Sequence, residues 1–474
     1  MGLKKNVSYS VLLTLSTYMV PLFVFPYISR VLLPSGIGTV DFVESIVNYS
    51  ILVSMMGMST LGIREIAKNR DNRARLDSTF SDLFALNILS TVIVVVILVC
   101  LTNTIPQLHR KYELMCIGIV KVVFNLFWIE WFFKGIENFK YITLRSVAVR
   151  IAFIVSVFLF VHDSGDAVIY YALFVGMTVC NAVCNWNYRR RYVSLHFKGI
   201  NLRRYIKPFV FLGLFALMSA VYTQLNTFYL GMVADDVEVG YYTVSTRLYS
   251  VLIALFSAMT GVMIPHMSVL VRDSKFDEIK TLTNKTFKLL FIFSLPLIIY
   301  LEIFAEDFIR LVAGEGYEGA TVPIRIVMPL LLIIGSEQIF ILQLLIPGRK
   351  DSSILKSAVS GVAICVLINL LMTRNYGAVG SALAWTGAEF AVLFVASCAV
   401  KRYMFIDYPF GALFRSVIYA VPYVAVGMVV LYAFDGYLIR LFVAALFYFF
   451  YAVFLLCKML NVDISGLIRR IRKR

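Results

Sequence analysis

The chain has 474 residues, of which 60% are hydrophobic and 15% aromatic, and its mean hydropathy is +0.83. That is far above the apolar usage of a soluble domain and predicts a membrane protein. The formal net charge of +16 would suit a nucleic-acid binder only if the basic residues shared one soluble face, and they fall instead in the gaps between apolar runs, so nucleic acid is excluded as a partner.

Lys4 and Lys5 precede an apolar run from Val7 to Leu33 that is too long for the core of a signal peptide, so the first helix is expected to stay in the mature protein. Windows of about 20 residues give further spans at Gly38 to Ile63, Thr79 to Leu101, Tyr112 to Phe133, Ile142 to Val161 and Ala167 to Tyr188. A linker rich in Arg and Lys, from Arg189 through Lys198 to Lys207, leads to Pro208 to Val233, Tyr241 to Met267, Thr286 to Ala305, Thr321 to Ile346, Ile354 to Thr373 and Ala378 to Val400. Ala412 to Phe434 and Tyr437 to Cys457 follow, before a basic tail. The expected fold is therefore an all-α polytopic membrane protein of about fourteen helices, or twelve if weak spans merge. Its expected organisation is a six-helix lobe over 1–192, a basic linker over 193–207, a second six-helix lobe over 208–403, and two added helices with the tail over 404–474.

Alternate gaps carry about 32 Lys and Arg on the side of the N-terminus against about 5 on the other, which puts both termini in the cytoplasm. The outer loops are short, the longest being about 15 residues near Asp307 to Thr321, so no outer domain is expected. There is no GxxxxGK[ST] run to cradle a nucleotide, and no cofactor is expected. The seven cysteines have no metal-ligand spacing and read as small core residues.

Sliding the chain by about 200 residues lays EVGYYTVSTRLYS on GIGTVDFVESIVN, with Gly240 over Gly38, Tyr229 over Tyr27 and Arg247 over Ser45. The ends of the sixth and twelfth spans also match, Arg190 to Tyr192 against Lys401 to Tyr403, with Gly387 over Gly176 at the same offset. Six spans is an even number, so the two copies share one orientation and are related by an axis along the membrane normal.

Charged residues within such spans are costly, about 2.5 to 3.5 kcal/mol for an Arg or Lys at the centre, so each is a candidate for function. Arg247 lies about two turns inside its span. Lys121 lies near mid-span, where snorkelling reaches neither surface easily. Arg150 and Arg30 read equally well as cavity or interface residues. Asp41 and Glu44 share one helix face on the outer half of the second span, either solvated there or paired with Arg247 as a gate. Glu337 and Glu389 are close to mid-span, where a carboxyl either carries a proton or hydrogen-bonds a neighbouring helix. Trp128 and Trp131 flank Glu130 and read as an aromatic belt, while Trp385 is deeper.

The runs FPYISRVLLPSGIG (Phe25 to Gly38), GIREIAKNRD (Gly62 to Asp71) and QLNTFYLGMVADDVEVGYYTVSTRL (Gln224 to Leu248) resemble the polysaccharide-unit flippases, the O-antigen or Wzx-type members of the multidrug/oligosaccharidyl-lipid/polysaccharide exporter superfamily. The resemblance implies two lobes around a cavity and transport of an undecaprenyl-pyrophosphate-linked oligosaccharide from the cytoplasmic to the periplasmic leaflet of a bacterial inner membrane. It also implies cationic cavity residues, which fall on Arg30 and Arg247 within the matching motifs, and often an acid near the position held here by Asn226. The substrate-binding candidates are thus Arg247, Arg30, Lys121, Arg150 and Asn226, and the coupling or gating candidates Asp41, Glu44, Glu337 and Glu389. The expected partners are the lipid-linked oligosaccharide, the bilayer and other polysaccharide-assembly membrane proteins. A drug/cation antiporter of the same superfamily would favour acidic ion sites over cavity arginines, and a membrane polymerase or ligase would need a large outer loop.

Overall fold

A chain of long apolar runs has no water with which to satisfy its backbone amides, so helices must close those hydrogen bonds internally. The computed structural model describes residues 9, 12–14, 16, 17, 19–196, 199–404, 406 and 408–460, and among them there is no strand. Lys4, Lys5, Lys198 and the basic tail lie outside the described residues, as does the side chain of Cys457. Packing divides the chain into two units, residues 1–243 and 244–474.

In the first unit a π-helical turn, Val20–Val24, runs into α1 (Phe25–Met55), which breaks at Leu33 (φ 59°, ψ 174°) immediately before Pro34. Proline disfavours helical geometry in the residue before it, and the first two expected spans part at this one, whereas Phe25 before Pro26 stays helical (φ −61°, ψ −44°). Next come α2 (Met58–Asn69) and α3 (Arg73–Thr104), where Asn72 Oδ1 accepts from the Arg75 amide at 3.1 Å and caps the exposed first turn. They are followed by α4 (Tyr112–Trp128), α5 (Glu130–Gly135), α6 (Phe139–Phe160), α7 (Ala167–Tyr188) and α8 (Arg203–Val233). The helix α9 (Asp236–Arg272) starts in this unit and continues into the second.

The second unit continues with α10 (Phe276–Ile303), α11 (Ala305–Val312), α12 (Thr321–Val327) and α13 (Leu330–Gln338), the last running into a π-helical stretch, Ile339–Leu345. Then α14 (Asp351–Ile368) and a π turn, Asn369–Thr373, precede α15 (Arg374–Met404), which breaks at Gly377. Two further helices close the described chain, α16 (Phe410–Ala433) and α17 (Tyr437–Leu460), both packed on α10.

Ten helical stretches among the described residues are long and apolar enough to cross a bilayer. Two of them, Val20–Asn69 and Asp351–Met404, each contain one of the breaks at Leu33 and Gly377, and α8 and α9 are 31 and 37 residues long. This is consistent with the expected fourteen. The outward faces are apolar: on α3, Leu89, Val92, Ile93, Val96 and Ile97 recur at helical spacing and are 49–57% exposed. Each such side chain held in water would forfeit about 1.5–3 kcal/mol relative to burial, so this face requires hydrocarbon around it. The interior of the first unit is built on Phe80, Trp131, Phe132 and Phe133, and that of the second on Phe287, Phe291, Ile339 and Phe340.

Two sequence expectations change here. Trp131 does not form a belt: it is 3% exposed, stacked on Phe80 at 5.6 Å, because Gly62 on α2 leaves room for its ring. Nor are the cysteines uniformly core, since Cys100, Cys180, Cys184 and Cys398 are exposed and only Cys365 is fully buried among those described. A thiol is apolar enough to face lipid, so hydropathy alone does not fix its side of the helix.

Within the first unit the start of α9 crosses α1 at a backbone-to-backbone contact. A methyl group on Gly38 would overlap the Asp236 carbonyl and sit 2.8 Å from the Gly240 nitrogen, while one on Gly240 would sit 2.8 Å from the Pro34 carbonyl carbon. The contact is reciprocal in the alignment that lays Gly240 over Gly38, since the same slide lays Asp236 over Pro34. Neither position has room for a side chain.

Candidate functional site

Two clusters of charged side chains lie inside the apolar helices, one in each unit. In the first unit α4 packs along both α1 and α7. That packing brings Lys121 of α4 to Glu44 of α1, where the ammonium and carboxylate form an ion pair with side chains only 9% and 14% exposed. Tyr171 of α7 donates to the other Glu44 oxygen at 3.1 Å, and the ring of Phe174 lies 4.8 Å from the Lys121 nitrogen. Taking two charges out of water is expensive, and such a pair holds only when both are matched in geometry, as here. Lys121 and Glu44 therefore neutralise each other within one unit. Asp41, one turn earlier on α1, is half-buried.

In the second unit α13 and α15 pack together and bring Glu337 within hydrogen-bonding reach of Glu389. The Trp385 indole donates to Glu389 Oε1 at 2.9 Å, and Tyr249 meets the Trp385 ring edge-on at 5.1 Å. Glu389 is 4% exposed. Two carboxyls this close in an apolar interior repel each other when both are charged. Next to Glu337, Gln338 bridges Ser257 (2.8 Å) and Thr260 (3.0 Å) of α9.

The remaining candidates are spread out. Arg30 is exposed, its guanidinium donating to the Pro26 carbonyl at 2.6 Å. Arg150 binds Ser16 and reaches the Leu13 carbonyl at 3.5 Å. Asn226 is fully buried in α8, and Arg247 is half-buried in α9. Sequence reasoning passed over Tyr171, whose only signal was a phenol in mid-span. It also passed over Asp236, which binds Lys111 and accepts from Thr39 at 2.6 Å at the head of α9, because both charges read as loop residues. Arg145 was missed as well: it is 8% exposed, donates to Ser146 at 2.8 Å, and leaves Nε and Nη1 without a partner. In the turn between α6 and α7, Asp166 accepts the amides of His162 (2.8 Å) and Asp163 (2.9 Å), which hold its carboxyl below the usual range.

Long helices with lipid-facing apolar surfaces and matched polar groups at depth define an all-helical, multi-pass membrane protein. Its fold is that of lipid and drug exporters. The structure is similar to the lipid II flippase MurJ in an inward closed conformation, with a TM-score of 0.76 over 95% of this chain and 100% of that one, at 14% identity. It is also similar to a multidrug resistance MATE family transporter of the MOP superfamily in its inward-facing conformation, with a TM-score of 0.64 over 84% and 98%, at 15% identity. The chain belongs to the polysaccharide biosynthesis protein family, which it matches over residues 3–271. Among its relatives, a protein of Escherichia coli strain K12 with the provisional name of O-antigen transporter is 23% identical over 82% of this chain and 94% of its own length. A Shigella dysenteriae protein under the same name is 22% identical over 84% and 100%.

Proposed function

We propose that the protein is a flippase that moves an undecaprenyl-pyrophosphate-linked oligosaccharide, a repeat unit of O-antigen or a related surface polysaccharide, from the cytoplasmic to the periplasmic leaflet of the inner membrane. The observation that carries this reading is the family match over residues 3–271 on a chain whose helices turn apolar faces outward. Work on a polysaccharide by such a chain is done within the bilayer, where a pyrophosphate and its sugars need a polar path while the prenyl tail stays in lipid. The names of the E. coli and Shigella relatives and the likeness to a lipid II flippase support it.

In this reading both termini are cytoplasmic, as the loop charge bias requires. Arg247 and Arg30 meet the pyrophosphate, Arg150 and Asn226 line the polar path, and Glu337 with Glu389 couples transport to a proton. Asp41 belongs to the outer gate. Lys121 and Glu44, already matched to each other, hold the first unit together. A guanidinium offers a fork of donors to phosphate oxygens where lysine offers a point charge.

Deletion of the gene should make lipid-linked sugar accumulate on the inner leaflet, and the intact gene should relieve it. Arg247→Lys should lower export severalfold and Arg247→Ala at least tenfold, at equal protein level. A deletion strain without accumulation sinks the flippase reading, and normal export by Arg247→Ala removes the arginine from the substrate path.

A further inference from the structure

Helix α4 ends where Ile129 takes a left-handed conformation (φ 31°, ψ 36°), and α5 restarts one residue later. A β-branched residue is strained there, and the break opens a hollow of about 200 Å³ beside the end of α1 and the start of α2. Its wall is apolar at Met55 and Ile63 and aromatic at Trp128, and it carries the polar groups of Asn125, Glu130 and Lys134. Glu130 and Lys134 form an ion pair at 3.8 Å, and Arg145 and Arg150 add positive field at the Glu130 carboxylate. Among the polar atoms of the lining residues, Asn125 Nδ2, Trp128 Nε1 and Trp131 Nε1 are buried without a hydrogen-bond partner.

We propose that this hollow is a sugar subsite that takes one pyranose ring of the lipid-linked oligosaccharide; the proposal rests on the flippase reading. The chemistry selects among ligand classes. The lining offers a free phosphate one ammonium, already paired with the Glu130 carboxylate, and a purely apolar molecule would leave the Glu130–Lys134 pair desolvated and unused. A neutral polyhydroxyl ring satisfies both sides: its hydroxyls donate to Glu130 and accept from Lys134 and Asn125, while its C–H face lies on indole and aliphatic surface. The size selects too, since the hollow is smaller than the roughly 300–1,000 Å³ of sites for drug-sized ligands and so holds one ring rather than a chain. The hollow lies against the start of α2, which carries Arg64 and Lys68 with Arg70 just beyond its end, on the basic and hence cytoplasmic side, where a flippase loads.

The test uses the purified full chain in lipid nanodiscs, titrated with the methyl glycosides of glucose, galactose, rhamnose and N-acetylglucosamine while tryptophan fluorescence is followed. Of the four tryptophans, Trp128 and Trp131 line the hollow. At least one glycoside should give a saturable change in the millimolar range, weakened tenfold or more by Asn125→Ala and by Glu130→Gln, and kept in Trp186→Phe; sodium phosphate should give none. In cells the same two variants should lower export about tenfold at normal protein level, with Glu130→Asp as the milder substitution if Glu130→Gln fails to accumulate. No saturation with any glycoside, or equal saturation in the variants, overturns the subsite. Normal export by the variants in a strain whose deletion does accumulate lipid-linked sugar overturns the subsite and leaves the flippase reading standing, whereas a deletion without accumulation overturns the flippase reading itself.

Discussion

The Lys121–Glu44 cluster of the first unit and the Glu337–Glu389 cluster of the second are built in opposite ways, although the second unit also holds a matched ion pair between Arg440 and Asp307 at 2.9 Å. In the first, Lys121 and Glu44 cancel, with Tyr171 taking the spare carboxylate oxygen, so the cluster is complete as a salt and needs nothing from outside. In the second, Glu337 and Glu389 face each other, and Trp385 supplies a neutral donor to one of them. Like charges at this distance repel in an apolar interior, so this pair of acids is not complete as a salt. The first arrangement suits a fixed scaffold and the second suits a group whose occupancy changes during a cycle.

Breaking the first cluster should have the largest effect. Lys121→Met strands a buried carboxylate and should lower stability by about 3–5 kcal/mol, seen as a drop in the thermal midpoint of the purified protein. Adding Glu44→Gln should recover most of that loss, because the remaining groups are neutral and still hydrogen-bond. Equal stability of Lys121→Met and the natural protein would mean the pair carries no structural role.

The second cluster should respond in function rather than in folding. Glu389→Gln keeps an acceptor for the Trp385 indole but removes a titratable group, so stability should change by less than about 1 kcal/mol, the usual scale of one hydrogen bond. Export should fall severalfold and lose its pH dependence, and Glu337→Gln should do the same. Unchanged export and unchanged pH dependence in both would make the acid pair structural like its counterpart.

The smallest effect sharpens the contrast from outside the membrane. Asp166 is held ionised by two backbone amides, with its pKa lowered, so its contribution to stability is present above the ordinary aspartate pKa and lost as pH falls through the lowered value. Asp166→Asn should remove that acid-side dependence and leave export near neutral pH unchanged, as read from thermal midpoints between about pH 3 and 7. Retention of the full acid-side slope would assign it to other carboxyls.

What the sequence disclosed follows from which forces act along the chain. Span positions, the break at Leu33 before Pro34 and the depth of Lys121, Glu337 and Glu389 come from hydropathy and helical rise, both local quantities. Partners do not. The repeat alignment placed Arg247 over Ser45, next to Glu44, but register says nothing about which way a helix face points, and it gave no sign of the Lys121 partner that packing of α4 against α1 brings to Glu44. The π-helical stretch Ile339–Leu345, which begins two residues after Glu337, alters the helical phase in a way that no 3.6-residue periodicity predicts. The hollow beside Trp128 depends on a left-handed Ile129, a residue type that gives no warning of such a turn.

The reciprocal contact of Gly38 with Gly240 has a bearing on ancestry. Each glycine is empty because the backbone around the other fills the space, so the two positions are one constraint written twice. A half-length chain pairing with a second copy of itself about a two-fold axis would make both contacts with a single glycine, and one substitution would then strike both sides at once. In a single chain the contact is kept while every other matched position is free to differ, as Ser45 and Arg247 do in the repeat alignment.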